Sequence, residues 1–438
     1  MRAIEFNVSV PGFLMARSLG RVTEAAVFGR WSGLRMRERP DPGAPEPGWA
    51  RLEVLGCGIC GSDLGNLTYS TSPAMEPFAS FPAVPGHEIL ARVVEVGPGV
   101  TRARPGDRVA VDPVISCTVR GFSPEASCAS CREGRPGTCA IAGEDGDQGV
   151  GGGELSRGMT IGYHRDLPGG WGESMLAHES QLFPLRPGIS NRAGVLIEPL
   201  SIGVHAVLNA PPPEDENVLV IGSGPIAFGT IWALRATGFR GAIVAQTKRE
   251  HEERLARTFG ADEVVRPGVE SRQALVATGA MAYQPIIGEE VFAGGGFAQI
   301  YDCVGSESSL QQSLRFAGPR GRIVMLGCAG ELRKLDLTFL WARELEIRGF
   351  VVYGREHWRG EERHTFEVTQ ELLLESGSPV EEMVTHVFPL EQFRTALSAA
   401  ANRGRSEAVK VVLTPTDEGL PPGEELGPGP KGSGSSTK

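Results

Sequence analysis

Two short segments of the chain carry side chains that can bind a metal. Cys60 lies in the run CGICGSD, and His87 lies in the run GHE. A thiolate and an imidazole are ligands that suit zinc. A third ligand has to come from elsewhere, and Glu198, in the run IEPL, lies near the predicted junction of two domains. Because three protein ligands leave a fourth position open for water or substrate, this set predicts a catalytic zinc.

Four further cysteines lie close together in the sequence. Cys128, Cys131 and Cys139 have the spacing C-x2-C-x7-C, and Cys117 precedes them across the segment TVRGFSPEAS. Four thiolates form a closed tetrahedral zinc site that stabilises a loop and does no chemistry. The cluster therefore predicts a structural zinc, and the alternatives are an empty or a disulfide-bridged cluster.

A glycine-rich turn, GSGPIA, follows the predicted strand ENVLVIG and opens a predicted helix. Gly222 permits the tight turn, and Gly224 lets the backbone approach a pyrophosphate. Pro225 and Ile226 begin the helix, whose free N–H groups and positive dipole end can hold the anion. This context predicts a dinucleotide site, and the alternative is a tight turn without a ligand.

The segment that usually selects between NAD and NADP reads AQTKR here. It has no carboxylate to bind a ribose 2′-hydroxyl. Thr247 could hydrogen-bond a 2′-phosphate, and Lys248 and Arg249 could pair with it. We therefore expect NADP to be favoured over NAD; the alternative is that Lys248 and Arg249 are solvated residues that start the next helix.

The elements that must position these residues fall into two kinds. Residues 1–186 are rich in short β-type runs broken by Gly and Pro, which predicts an antiparallel, barrel-like unit. Strands and helices alternate over 187–351, which predicts a doubly wound parallel sheet and an α/β fold class. We read 266–296 as an inserted, irregular loop region. The Pro-, Gly- and Ser-rich residues 415–438 are expected to be a disordered tail.

Charge and hydropathy exclude several classes of protein. The net charge of −10 argues against a nucleic-acid binder. No stretch approaches the roughly 18 apolar residues of a membrane span. The first residues make a poor signal peptide, which favours metal binding over disulfides for the cysteines. We expect a cytoplasmic protein with neither a nucleic-acid nor a membrane partner.

Taken in order, ICGSD, GHE, EPL and the glycine fingerprint resemble the zinc-dependent medium-chain dehydrogenases, nearest the polyol, threonine and glucose dehydrogenase branch. The resemblance covers about residues 45 to 412. It implies a GroES-like β-barrel catalytic domain, 1–186 with 352–414 returning to it, and a Rossmann domain, 187–351. It implies hydride transfer between an alcohol and NAD(P), two zinc ions per chain, and a homo-oligomer, dimer or tetramer, acting on a small alcohol or carbonyl substrate.

The resemblance also implies roles for neighbouring residues. Asp63 would orient the ligand histidine, which strengthens it as a ligand. Ser62 would pass the substrate proton outward, and Glu88 would approach the metal when water or substrate exchanges. Val304 would border the nicotinamide.

One departure from the family pattern concerns the proton relay. Gly65 stands where a relay histidine is often found. His164, His178 and His205 are conceivable substitutes, although a histidine in such a position is more often an ordinary structural one. The sequence leaves open whether the substrate is a hydrophilic or a lipophilic alcohol.

Two rival functions fit the same scaffold. One is a zinc-independent reductase of activated double bonds, and the other is a non-catalytic zinc- or nucleotide-binding protein. Fold alone does not separate them from a dehydrogenase. The set Cys60, His87 and Glu198, with its open fourth position, favours the dehydrogenase.

Overall fold

The computed structural model describes residues 1–20, 27–29, 32–146, 155–416 and 419–420. The strands are β1 (Arg2–Phe6), β2 (Leu34–Glu38), β3 (Trp49–Gly58), β4 (Glu88–Val96), β5 (Arg108–Val111), β6 (Ser174–His178), β7 (Leu182–Pro184), β8 (Val218–Ile221), β9 (Ile243–Gln246), β10 (Glu263–Val265), β11 (Ala280–Tyr283), β12 (Val291–Gly294), β13 (Phe297–Asp302), β14 (Ala317–Met325), β15 (Glu346–Gly349), β16 (Arg355–Trp358), β17 (Glu361–His364), β18 (Val384–Pro389) and β19 (Lys410–Thr414).

The α-helices are α1 (Val10–Leu19), α2 (Gly61–Leu67), α3 (Ala129–Arg132), α4 (Asn191–Gly194), α5 (Ile197–Asn209), α6 (Pro225–Ala236), α7 (Glu250–Thr258), α8 (Val269–Ala277), α9 (Glu307–Phe316), α10 (Thr338–Ala342), α11 (Thr365–Ser376), α12 (Phe393–Ala401) and α13 (Arg403–Ser406). Short 3-10 helices cover Pro73–Phe78, Pro136–Thr138, Glu179–Gln181, Val380–Met383 and Leu390–Gln392.

The first unit is built on a mostly antiparallel sheet. Its strand order is β18-β19-β3-β4-β5-β7, and β6 also pairs with β3. The pairs that β3 makes with β4, β6 and β19 are all antiparallel, as the sequence predicted. Because β18 and β19 come from the end of the chain, the last segment returns to the sheet that the first residues form.

The second unit is a six-stranded sheet with the order β10-β9-β8-β13-β14-β15. Every neighbouring pair in it is parallel. Counted along the chain, this is the doubly wound order 3-2-1-4-5-6. All four residues of β8 are buried, as expected for a central strand covered on both faces. The predicted α/β fold class is confirmed.

Helix α5 lies at the junction of the two units. It packs against α6 of the second unit. Its side chains Leu200 and Val204 share one buried apolar cluster with Leu55 and Leu90 of the first unit. The first turn of α5, which carries Glu198, is therefore fixed where the two units meet.

The segment predicted as an irregular loop, 266–296, is largely regular, so that prediction was wrong. Gly268 precedes α8, and β11 pairs with β12 as an antiparallel hairpin. The segment is stabilised by apolar side chains of its own, because Leu275 of α8 and Phe292 of β12 are buried in one apolar cluster. The glycine run lies at the end of the hairpin. Gly296 has no room for a side chain, because a Cβ there would lie 2.5 Å from the backbone of Gly318.

The predicted tail is ordered further than expected. Leu420 is 2% exposed, and a Cβ at Gly56 would lie 2.8 Å from its side chain. The expected start of a disordered tail at 415 is therefore wrong for Leu420, because this apolar side chain is buried against β3. Residues 417–418 and 421–438 of that tail lie outside the described residues. Among the described residues, no helix is both long and apolar enough to cross a membrane.

Candidate functional site

The first metal-binding group lies at the start of α2. Cys60, His87 and Glu88 each bring a ligand atom within 4.8 Å of the others. Cys60 precedes the helix, and Gly86 turns the chain into His87 with a φ of +92°. That turn leaves no room for a side chain, because a Cβ at Gly86 would lie 2.3 Å from Trp171. A thiolate, an imidazole and a carboxylate this close together suit zinc.

Glu88 is a buried carboxylate held by a buried ammonium. Lys410 Nζ lies 2.6 Å from Glu88 Oε1 and 2.5 Å from Oε2. Gly58 makes room for this pair, because a Cβ there would lie 1.8 Å from Glu88 Oε2. Burial opposes the charge on Lys410, but the Glu88 carboxylate outweighs it, so the pKa of Lys410 is raised. The pair therefore holds the Glu88 carboxylate beside Cys60 and His87.

Glu198, the third ligand expected from the sequence, is not in that group among the described residues. It is buried in the first turn of α5. Burial raises its pKa to about 7; the Glu88 charge adds to the rise and His87 opposes it. The charges of His87 and Glu88 therefore act on Glu198, although Glu88 is the carboxylate that lies nearer to Cys60 and His87.

Asp63 and Ser62 share a hydrogen-bond network with Tyr163, a residue that the sequence reasoning missed. Asp63 Oδ2 accepts the Cys60 backbone N–H at 2.8 Å, and Oδ1 lies 3.4 Å from His87 Nδ1. The Tyr163 hydroxyl lies 2.8 Å from Asp63 Oδ1 and 3.0 Å from Ser62 Oγ. Burial raises the pKa of Tyr163, and the Asp63 charge raises it further. No spacing signal points to Tyr163, because it lies 100 residues beyond Asp63.

The three histidines considered as relay residues are engaged elsewhere. His164 Nε2 lies 2.7 Å from the Ser156 carbonyl, and Nδ1 accepts two backbone N–H groups. His178 Nδ1 bonds Ser180, and His205 Nδ1 lies 2.5 Å from Glu356 Oε1. The expectation that one of them ends the relay from Ser62 finds no support in these contacts.

The four cysteines predicted as a structural site come together. Their sulfur atoms all lie within 4.8 Å of one another, although ten residues separate Cys117 from Cys128. The Cys117–Cys139 and Cys128–Cys139 sulfur distances are 3.7 and 4.0 Å. The edge of a tetrahedron of thiolates around zinc is about 3.8 Å, from a Zn–S distance of about 2.3 Å. All eight cysteines are free thiols, so no disulfide bridges the cluster.

The glycine turn joins β8 to α6 as the sequence predicted. Gly222 has a φ of +132°, and its N–H donates to the Gln246 carbonyl at 3.2 Å. Gly224 caps α6, which begins at Pro225 and continues through Ile226. A Cβ at Gly222 would lie 3.4 Å from Val304, so the residue expected beside the nicotinamide borders the same turn.

The loop after β9 contains a buried acid that the sequence reasoning missed. Glu252, in the first turn of α7, accepts the backbone N–H groups of Lys248 and Arg249 at 3.0 and 3.2 Å. Its other oxygen accepts the Arg249 guanidinium at 2.7 Å and lies 3.6 Å from Arg403. Thr247 is buried beside this cluster. The sequence did contain a signal for this contact. Glu252 is the third residue of its helix, and an acid at that position can accept a backbone N–H group of the residue before the helix.

Two family models match the chain. The alcohol dehydrogenase GroES-like domain matches residues 46–187, and the zinc-binding dehydrogenase domain matches residues 225–366. Together with the antiparallel unit, the parallel sheet and the Cys60–His87–Glu88 group, these matches define a two-domain dehydrogenase. The chain belongs to the zinc-type medium-chain dehydrogenases, in the branch that contains the polyol dehydrogenases.

Individual relatives are similar along most of their length. A sorbitol dehydrogenase of Gallus gallus is 29% identical over 405 residues, which cover 90% of this chain and 97% of the relative. An L-threonine 3-dehydrogenase of Saccharopolyspora erythraea is 29% identical over 370 residues, 83% of this chain and 92% of the relative. The solved structure of the alcohol dehydrogenase RspB of Escherichia coli CFT073, complexed with NADH, has a TM-score of 0.67 at 25% identity and covers 87% of this chain and 96% of its own.

Proposed function

We propose that the chain is a zinc-dependent dehydrogenase that transfers a hydride between a CH–OH substrate and NAD(P). The observation that carries this proposal is the group formed by Cys60, His87 and Glu88, with Ser62 and Asp63 beside it. Cys60 and His87 would hold zinc with a carboxylate, either Glu198, as the sequence indicates, or Glu88, which lies nearer. When bound, zinc supplies a Lewis acid for the substrate oxygen and the nicotinamide accepts the hydride.

The chain's own residues would bind, orient and accept the proton. Asp63 fixes the orientation of His87, whose Nδ1 faces it at 3.4 Å. Ser62 Oγ lies 3.0 Å from the Tyr163 hydroxyl and would accept the substrate proton while it passes its own proton outward. Gly222 and Gly224 would bind the pyrophosphate through the backbone of their turn and the start of α6.

The second proposed zinc is held by Cys117, Cys128, Cys131 and Cys139. The sulfur separations of 3.7 and 4.0 Å support it, because they fit a tetrahedron of thiolates. Such a closed site would stabilise its lobe and take no part in the reaction.

NADP is the cofactor that we propose as the better ligand. The guanidinium groups of Arg249 and Arg403 lie 2.7 and 3.6 Å from one oxygen of Glu252, and Lys248 follows Thr247 in the loop after β9. Glu252 holds the Arg249 guanidinium in place, and a 2′-phosphate would be attracted to these cations.

The substrate is proposed to be a hydrophilic alcohol of the polyol type. A cleft of about 910 Å³ near the end of α2 has hydroxyl and amide side chains in its wall, including Asn66, Ser70 and Thr71, beside apolar and charged side chains such as Phe13 and Arg157. These groups can hydrogen-bond the hydroxyls of a polyol. The relatives named for sorbitol and threonine also act, by name, on small hydroxylated compounds.

The organisation of the chain follows the same family pattern. We propose a catalytic domain of 1–186 with 352–414, and a Rossmann domain of 187–351; the pairing of β19 with β3 supports this return of the chain. A cytoplasmic homo-oligomer, dimer or tetramer, remains our proposal from the resemblance alone.

The proposal is tested on one preparation of the purified protein. We expect about two zinc ions per chain, binding of NADP tighter than that of NAD, and alcohol-dependent reduction of the cofactor with a panel of polyols. Zinc in the four-cysteine cluster alone, together with reduction of activated double bonds, would support the zinc-independent reductase. Zinc without nucleotide binding would support a non-catalytic zinc-binding protein.

A further inference from the structure

We propose that Tyr163 is a positioning residue whose phenol holds the Ser62 hydroxyl and the Asp63 carboxylate in a fixed relation beside the metal-binding group. The inference rests on the proposed function and deepens it, because it assigns a role in alcohol oxidation to a residue outside every sequence motif. Tyr163 acts through Ser62 and Asp63.

The geometry decides which way the protons point. Tyr163 has a single hydroxyl proton and two partners, Asp63 Oδ1 at 2.8 Å and Ser62 Oγ at 3.0 Å. An ionised carboxylate can only accept, and it is the stronger and nearer acceptor, so the phenol donates to Asp63. The same hydroxyl also faces Ser62 Oγ, which is an acceptor at 3.0 Å. The proton of Ser62 is then free to pass outward when Ser62 accepts a proton from a substrate alcohol.

Gly65, the position where a relay histidine is often found, has no room for a side chain. The chain after the helix folds back, and the backbone N–H groups of Ser70 and Thr71 donate to the Gly65 carbonyl at 2.8 and 3.3 Å. A Cβ at Gly65 would lie 2.9 Å from Thr71 Oγ1. This loop fills the space where a side chain at Gly65 would lie, and the structure instead brings the Tyr163 hydroxyl to Ser62 from a distant part of the chain.

Tyr163 is itself held in place from several directions. Its carbonyl accepts the Ser80 N–H at 2.9 Å, and its N–H donates to the Thr160 carbonyl at 3.3 Å. Its ring lies against that of His87, with centroids 5.4 Å apart. Removing only the phenol oxygen therefore leaves the backbone bonds and the ring contact intact.

The decisive variants are Tyr163→Phe, Ser62→Ala and the double variant. We expect Tyr163→Phe to lower kcat about 10–100-fold, in the range of partners that orient the groups of a metal site, with KM within about 2-fold of wild type. In the Ser62→Ala background the same change should lower kcat by a smaller factor than in the wild type, because the part of the effect that acts through Ser62 is already lost and only the part through Asp63 remains. An equal loss in both backgrounds would overturn the proposed action through Ser62.

The matched control is Tyr301→Phe. Tyr301 is also buried, and its hydroxyl accepts the Gln299 amide at 2.7 Å and lies 3.4 Å from the Ala210 carbonyl, in the core of the second unit. This variant removes comparable hydrogen bonds away from the site. It should lose stability and keep kcat. A similar fall of kcat in Tyr301→Phe would mean that the effect at Tyr163 is only structural.

A second readout needs no substrate. Asp63 orients His87, so loss of the Tyr163 hydroxyl should speed release of the catalytic zinc to a chelator by about 10-fold. Release should be unchanged in Tyr301→Phe. Unaltered zinc release and kcat in Tyr163→Phe would overturn the inference. A wild-type protein that oxidises no alcohol would instead refute the proposed function, and zinc release would still decide whether Tyr163 positions Asp63.

Discussion

Lys410, the first residue of the last strand, binds both carboxylate oxygens of Glu88, the first residue of β4, and both side chains are at most 2% exposed. This ion pair fastens the returning end of the chain to the metal-binding group. A buried charge is tolerated only when it is paired, because the interior does not replace the water that it loses.

Breaking this pair from one side should be costly. We expect Lys410→Met to lower the free energy of unfolding by about 3–5 kcal/mol, because it leaves the Glu88 charge buried and unpaired. The double variant Lys410→Met, Glu88→Gln should recover most of that loss, because neither charge remains. Urea unfolding of the metal-free proteins measures both values. A single variant that costs less than about 1 kcal/mol would show that the pair is not buried as described.

Glu198 should make the stability of the metal-free protein fall as the pH rises. Its pKa is about 7 in the fold and near 4.5 for an ordinary glutamate, so the folded state holds the extra proton between these values. The penalty is absent below about pH 4.5 and complete above about pH 7, where it is about 3 kcal/mol.

The measurement is the difference between wild type and Glu198→Gln. Denaturant unfolding of chelator-treated protein at pH 5 and pH 8 should show the wild type losing more stability than the variant over this interval. Identical slopes for the two proteins would contradict the burial of an ionisable carboxyl at this position. Zinc affinity of the same variant, compared with Glu88→Gln, separates the two candidate third ligands.

The local motifs could be predicted from the sequence because neighbours along the chain decide them. The glycine turn works through the conformations of Gly222 and Gly224 and the start of α6, all within a few residues. The four-cysteine cluster was also predictable, because ligand chemistry tolerates the insertion after Cys117.

The partners that complete each site could not be predicted, because they depend on tertiary placement. Tyr163 and Lys410 reach the metal-binding group from distant elements, and no period or spacing marks them. Whether Glu88 or Glu198 is the third zinc ligand depends on the distance of each carboxylate from Cys60 and His87. Glu88 can lie this close because Gly58 has no side chain to fill the space. The hairpin in 266–296 was missed because its strands have only four residues each and their apolar residues do not alternate with polar ones, so no period of two marks them.

Arg249 should discriminate between the two cofactors. We expect Arg249→Ala to raise KM for NADP about 10–100-fold and to change KM for NAD by less than about 3-fold, because only NADP carries the 2′-phosphate. Arg254→Ala, at an exposed position on the same helix, is the control and should change neither value. Equal effects of Arg249→Ala on both cofactors would place Arg249 at a phosphate that they share.

Cys117 should be a ligand in spite of its distance along the chain from Cys128. Its sulfur lies 3.7 Å from that of Cys139 and accepts the Cys128 N–H at 3.3 Å, so a serine there would leave three thiolates around the ion. We expect Cys117→Ser to lose about one zinc per chain, measured by metal analysis, and to lower the melting temperature.

The control is Thr118→Ser, at the exposed neighbouring position, which should change neither the zinc content nor the melting temperature. Because the closed site takes no part in the reaction, kcat of the remaining folded enzyme should stay close to that of wild type at low temperature. A Cys117→Ser protein that keeps both zinc ions would mean that the site needs only Cys128, Cys131 and Cys139.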